Sequence, residues 1–221
     1  MDFERARYNM VEQQIRTWEV LDPDVLETLF AVRREDFVPP AYRALAFSDL
    51  EIPLTLDGVA TGENMLAPKV EARMLQSVLP ERGHAVLEIG AGSGHMAALL
   101  AQFARSVVTC DLREDLCEFA RANLKSAGIG NVHVERGHGL AVAEKGSFDV
   151  IVLSGSVQFV PESLLQRLNP GGRLIGIVGE LPVMSAQRIT RTGEREFFSE
   201  NLFETVAAPL REFPQRERFR F

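Results

Sequence analysis

Basic residues are in short supply: 24 Lys and Arg stand against 31 Asp and Glu, for a formal net charge of −7 over 221 residues. A surface built for nucleic acid carries a basic footprint, so no nucleic-acid partner is expected. Cysteine occurs only twice, at Cys110 and Cys117, which excludes a disulfide framework and a zinc cluster. Both are expected to pack as small hydrophobes, one in a strand and one in a helix. His84, His95 and His133 are scattered singles without metal-ligand spacing, so no metal is expected and structural roles are. No apolar run approaches the roughly 18 residues of a membrane span, and the opening Met1-Asp2-Phe3-Glu4-Arg5 leads into no signal-like hydrophobic region. No membrane partner is expected, and the expected location is the cytoplasm. Internal repeats and low-complexity tracts are missing too. What remains, at 46% hydrophobic, is enough apolar surface for one sizeable core.

Residues 1–31 read as helical. Met10, Val11 and Ile15 form one apolar stripe; then Asp22 as N-cap and Pro23 at the first helical position open a second helix with Val25, Leu26, Leu29 and Phe30 on one face. Trp18, the only tryptophan, falls in the joint and is expected to be a packing anchor. Residues 33–65 read as a long irregular connection containing Pro39, Pro40, Pro53, Gly58 and Gly62; such a connection usually carries function. Pro68 opens a helix with Val70, Met74, Leu75 and Val78 on one side. From residue 84 strands alternate with helices. The strands are His84–Ile89, Ser106–Asp111, Val132–Arg136, Phe148–Leu153 and Arg173–Val178; the helices are His95–Ala104, Glu114–Ala127 and Pro161–Leu168. That alternation predicts an α/β fold, a Rossmann-like and mostly parallel sheet with helices on both faces. Arg188–Thr192 and Phe203–Ala207 are expected as antiparallel strands closing the sheet.

The chemistry centres on Val86-Leu87-Glu88-Ile89-Gly90-Ala91-Gly92-Ser93-Gly94, a buried strand that breaks into a glycine turn and re-enters as a helix. A dinucleotide fingerprint wants a small residue where His95 stands, so that helix and strand pack closely. Glu88, two residues before Gly90, opposes a pyrophosphate but suits a ligand with a cationic end; S-adenosylmethionine has an ammonium and a sulfonium and no phosphate. Asp111 ends the next strand, where an acid reaches the ribose hydroxyls of an adenosine ligand. Capping the helix that follows is its other available role. Gly90, Gly92, Glu88 and Asp111 are thus the cofactor-binding candidates.

Val86–Gly94, Phe148-Asp149-Val150-Ile151-Val152 and Leu168-Asn169-Pro170-Gly171-Gly172-Arg173-Leu174 resemble class I S-adenosylmethionine-dependent methyltransferases. More narrowly, Met10-Val11-Glu12-Gln13-Gln14-Ile15-Arg16, Phe37-Val38-Pro39, Val160-Pro161-Glu162-Ser163-Leu164-Leu165 and Arg173–Gly179 are similar to segments of the protein-L-isoaspartate O-methyltransferases. The resemblance spans roughly residues 8–210, which makes it more specific than the glycine motif alone. It implies S-adenosylmethionine as cofactor and isoaspartyl residues of damaged proteins or peptides as substrate. Their free carboxylate becomes a methyl ester that collapses to a succinimide. A carboxylate is already a nucleophile, so the implied enzyme needs no general base; it must exclude water and align the reacting atoms. The resemblance divides the chain into a substrate-covering segment, 1–80, and a methyltransferase core, 81–221, in one compact unit.

Two positions depart from that family. Its loop Gly-Gln-Thr-Ile-Ser corresponds to Gly62-Glu63-Asn64-Met65-Leu66. Leu66 replaces the serine and donates no hydrogen bond; Asn64 replaces the threonine, still donates, and is the catalytic candidate. Glu63 adds negative charge near an anionic acceptor. Gly137-His138-Gly139 stands where the family has Gly-Asp-Gly, with the aspartate near the adenine, which makes His138 a further cofactor-binding candidate. Transfer to another acceptor, a small carboxylic acid or other nucleophile, stays open, as does a non-catalytic S-adenosylmethionine-binding protein. Ser154-Gly155-Ser156 follows a strand at the substrate edge and lacks the Asn/Asp-Pro-Pro-aromatic motif of nucleic-acid amino methylation. Arg211, Arg216, Arg218 and Arg220, interleaved with Phe213, Phe219 and Phe221, are expected to form a solvated tail.

Overall fold

The structure, a computed structural model, describes residues 2–216. The chain opens with α1 (Phe3–Asn9), capped by the Asp2 side chain, and winds on through a π-helical stretch, Met10–Ile15, and a 3₁₀ turn, Arg16–Trp18. The stripe Met10, Val11 and Ile15 is buried along it. In α2 (Pro23–Ala31) the Asp22 carboxylate accepts from the N–H groups of Asp24 and Val25, and Pro23 stands in the first turn, as the cap residues dictate.

The connection read as irregular holds two short 3₁₀ turns and then a hairpin, β1 (Ile52–Leu56) with β2 (Val59–Met65). The missed signal was Asp57-Gly58, both at positive φ (49° and 80°), the dipeptide that favours the tight mirror-image turn between antiparallel strands. Pro53 and Gly62 inside the strands obscured the alternation. Next comes α3 (Pro68–Val78), with Val70, Met74, Leu75 and Val78 buried.

The core follows in order: β3 (Ala85–Ile89), α4 (His95–Ala101), β4 (Ser106–Asp111), α5 (Glu114–Ser126), β5 (Val132–Arg136), α6 (Gly139–Ala143), β6 (Phe148–Val157), α7 (Glu162–Leu165), β7 (Leu168–Glu180), β8 (Val183–Arg191) and β9 (Phe197–Glu204). Seven strands form one sheet in the order β5-β4-β3-β6-β7-β8-β9. The pairings from β5 to β7 are parallel, and β7-β8-β9 are antiparallel. The final strand lies at Phe197–Glu204, earlier than the expected Phe203–Ala207, because β8 and β9 pair over a longer stretch around the Thr192–Glu196 turn.

Strand alternation divides the interior. Val86, Val150, Val152, Ile175 and Ile177 pack with Met10, Val11, Ile15, Leu54 and Met65, whereas Leu87, Ile89, Ile151, Leu153 and Leu174 pack with Val142 and Leu164. The N-terminal helices and hairpin therefore share one core with a face of the sheet. Trp18 anchors that junction, its ring edge-on to Phe203 at 5.9 Å and under the Lys69 ammonium at 4.0 Å. Among the described residues no helix is long and apolar enough to cross a membrane, and no group of three or more His, Cys, Asp or Glu is arranged to hold a metal.

Candidate active site

The strand order turns back at β3, which has β4 on one side and β6 on the other. A ligand crevice forms at the carboxyl ends of strands at such a point. Here it is an open cleft between the glycine turn, the hairpin and the C-terminal segment. Its floor is Ile89, Gly90, Gly92, Asp111 and Ser154; the hairpin contributes Glu51, Glu63, Asn64 and Leu66; Pro209, Leu210, Arg211 and Phe213 complete the wall.

Gly90 holds φ at +101°, which favours glycine, and a Cβ there would press on the Leu210 side chain at 3.1 Å. Gly92 donates its N–H to Asp111 Oδ2 at 3.2 Å, while Asp111 Oδ1 accepts from the Arg113 N–H at 3.1 Å. Asp111 thus faces the cleft and ties the glycine turn to the N-cap residue of α5, Arg113, without capping the helix itself. Burial pushes its carboxyl above the usual range, against the pull of those two N–H groups.

Glu88 is placed differently from a surface carboxylate offered to a cation. It is buried, with Oε2 accepting from Thr109 Oγ1 and Oε1 from Ser154 Oγ, both at 2.7 Å. Burial pushes its carboxyl up to about 8, so near neutrality it mostly keeps its proton. The electrostatic preference read from the sequence assumed an ionised Glu88; in the fold that charge is suppressed. Thr109 went unnoticed in the sequence, although it is the lone polar residue in Val107-Val108-Thr109-Cys110 and pairs with Glu88 in register.

His95 opens α4 inside a buried ion network. Its Nδ1 lies 2.9 Å from Glu71 Oε2, Glu71 is paired with Arg34, and Arg34 Nη2 donates to the Leu66 carbonyl at 2.6 Å. Burial alone would raise the Glu71 carboxyl, but Arg34 and His95 together hold it below the usual carboxylate range. The network joins the N-terminal segment, α3 and the glycine turn, and it explains why no small residue stands at position 95.

Asn64 lies at the cleft mouth with Nδ2 donating to Glu51 Oε2 at 3.2 Å. Burial pushes the Glu51 carboxyl up, partly offset by that bond. Leu66 is buried, packed into the core. His138 is not brought to the cleft wall, although Gly137 and Gly139 are. Its Nδ1 accepts from the Leu140 N–H at 3.2 Å and caps α6, its Nε2 donates to the Glu212 carbonyl at 3.0 Å, and its ring stacks on Phe213 at 5.9 Å between centroids. Both nitrogens are engaged, which leaves neither for an adenine in this arrangement.

The expected solvated tail is overturned at Phe213, which is buried, and in the backbone leading to it, whereas Arg211 and Arg216 are exposed. Ser156 and Leu210 exchange backbone bonds with this segment (Ser156 N–H to the Ala208 carbonyl, Leu210 N–H to the Ser156 carbonyl, each 2.8 Å), laying 208–213 as a strap over the cleft. Arg218, Arg220, Phe219 and Phe221 lie outside the described residues.

The family model described as protein-L-isoaspartate(D-aspartate) O-methyltransferase matches residues 5–212. A protein-L-isoaspartate O-methyltransferase of Rhodopseudomonas palustris is 37% identical over 203 residues, covering 91% of each chain. One from Methanospirillum hungatei is 34% identical over 205 residues, covering 92% of each. In fold, the chain is similar to a Plasmodium falciparum structure provisionally described as a protein-L-isoaspartate O-methyltransferase in complex with S-adenosyl-L-homocysteine. The TM-score is 0.79 at 20% identity, covering 96% of this chain and 100% of that one. With a sequence match that takes in the hairpin, the glycine turn and most of the strap, the chain belongs to the protein-L-isoaspartate(D-aspartate) O-methyltransferase family.

Proposed function

We propose that the protein methylates the free carboxylate of isoaspartyl residues in damaged proteins, with S-adenosylmethionine as donor. The observation that carries this reading is one cleft that joins a glycine turn pinned to Asp111 with the hydrogen-bonding hairpin edge at Asn64. The donor set fits the cofactor. Each Asp111 oxygen holds one backbone N–H and retains acceptor capacity for a ribose hydroxyl. Glu51, Glu63 and Asp111 line the cleft, Arg113 is paired with Asp115, and Arg211 is paired with Glu63. Such a rim repels a pyrophosphate and tolerates a cationic ligand.

Bound S-adenosylmethionine supplies an electrophilic methyl group on a sulfonium. Gly90 and Gly92 would give its backbone approach, Asp111 would hold the ribose, and Glu88, kept neutral by burial and clamped by Thr109 and Ser154, fixes the floor. Asn64 offers an N–H to orient the acceptor's carboxylate. Leu54, Leu66 and Leu210 keep water from the reacting atoms, which is the main demand when the nucleophile is already ionised. A cytoplasmic location belongs to the same reading and is supported by two unpaired, buried thiols, Cys110 and Cys117.

A second acceptor class is favoured by two features: Leu66 gives no hydroxyl, and the mouth carries two carboxylates, Glu51 and Glu63. Labelled-methyl transfer to an isoaspartyl peptide, with the aspartyl peptide as control and calorimetry for the cofactor, separates the two. Transfer to the isoaspartyl peptide alone is expected. Cofactor binding without transfer would move the protein to another acceptor, and no binding would reject both readings.

A further inference from the structure

An isoaspartyl carboxylate approaching this cleft meets Glu51 and Glu63, so something must offset their charge. Two guanidinium groups line the cleft. Arg113 is fully engaged: Nη1 donates to the Thr61 carbonyl, while Nε and Nη2 form a fork onto Asp115. Arg211 is not. It contacts Glu63 Oε1 through Nε at 2.6 Å, and among the described residues neither Nη1 nor Nη2 has a hydrogen-bond partner. The guanidinium lies over the bare face of Gly62, where even an added Cβ would stand 3.6 Å from Nη2. Its backbone is not free to wander, because the Ser156–Leu210 bond fixes the residue before it. The side chain is about half exposed, 54%, at the cleft mouth. This is a tethered cation with an unused two-donor edge, the geometry that suits a carboxylate.

We propose that Arg211 grips the carboxylate of the acceptor, and that Glu63 holds its guanidinium in the acceptor's absence as an internal stand-in for that carboxylate. The assignment rests on the isoaspartyl reading of the site. Arg211 offsets the charge of the hairpin acids and supplies a donor to the acceptor where Leu66 supplies none. Glu63, 23% exposed and on the opposite wall, competes with the acceptor for the same group.

Steady-state methylation of an isoaspartyl peptide by the full-length wild type and by R211Q, R211K, E63Q and the R211Q/E63Q double variant tests this, with calorimetry of S-adenosylmethionine on each. In R211Q the KM for the peptide is expected to rise about tenfold or more, the loss of a charge-assisted contact, with a much smaller change in kcat and cofactor affinity. R211K is expected to recover part of the KM. E63Q is expected to lower KM by removing the competitor, and the double variant to match R211Q. A pair that merely braces the strap would move KM in the same direction in E63Q and R211Q. That result, or an unchanged KM in R211Q, overturns the assignment of Arg211 while leaving the function intact. A wild type that binds the cofactor but is inert toward the peptide overturns the functional reading, and this assignment with it.

Discussion

A carboxyl group sealed beneath a ligand cleft answers first to desolvation. Burial of Glu88 without a cation beside it outweighs the bonds from two hydroxyls, so its proton stays on until about pH 8, against an ordinary value of 4.5. With the folded value raised, the group's contribution to stability is complete below about pH 4.5, erodes as pH rises, and is lost by about pH 8. Glu88→Gln has no proton to lose. Its Tm relative to wild type is expected to climb between pH 5 and pH 8 and then level, and parallel Tm curves would show that burial does not control this group. Asp111 answers to its ligand instead. Asp111→Ala is expected to weaken S-adenosylmethionine binding by about 1–3 kcal/mol in calorimetry, whereas unchanged affinity would leave it only the tie between the Gly92 and Arg113 N–H groups. Residue types at these positions were legible in the sequence because strand, turn and acid sit within one local stretch. Protonation was not, since it is set by burial beneath neighbouring strands, which outweighs the opposing pull of the Thr109 and Ser154 hydroxyls.

Elements were legible where each carries its own pattern. The parallel strands and the long helices α3 and α5 announce themselves by burial period, and α3 also by the proline in its first turn. The β1–β2 hairpin did not, because its strands are short, interrupted by Pro53 and Gly62, and stabilised by what they lie on; Leu54 and Met65 are buried in the shared core. That hairpin carries the acceptor side of the cleft, and its exit is fixed by Arg34 gripping the Leu66 carbonyl. The backbone at Leu66 is therefore held independently of its side chain, which makes the position suitable for exchange. Leu66→Ser removes a buried leucine and is expected to lower stability by roughly 1.5–3 kcal/mol, read as a drop in Tm. The same change places a hydroxyl at the cleft wall and is expected to raise kcat on an isoaspartyl peptide. A Tm loss without a gain in kcat would mean that Asn64 and the rest of the mouth already do what the family's serine does.

The molecule as a whole is a sheet whose ligand crevice is closed from two directions, by the N-terminal hairpin and by the C-terminal strap. The strap could not be read from its composition. Arg211-Glu212-Phe213 has neither helical nor strand period, and its burial depends on segments far back in the chain: Gly90 and Gly155 under Leu210, Ser156 beside Ala208, His138 against Phe213. Its removal separates closure from folding. The last sheet strand ends at Glu204, so a chain stopped after Ala207 keeps every strand pairing of the sheet while it loses Ser156's two backbone bonds, the Arg211–Glu63 pair, the Glu212 and Phe213 contacts to His138, and the cover on the glycine turn. It is expected to unfold in a single transition with a modestly lower Tm, and to bind S-adenosylmethionine at least about tenfold more weakly, since an opened site loses both contact area and the exclusion of water. Wild-type affinity in the truncated chain would make the strap a passive covering. Loss of the folding transition would instead make it part of the core, joined to the sheet through Leu210 and Phe213.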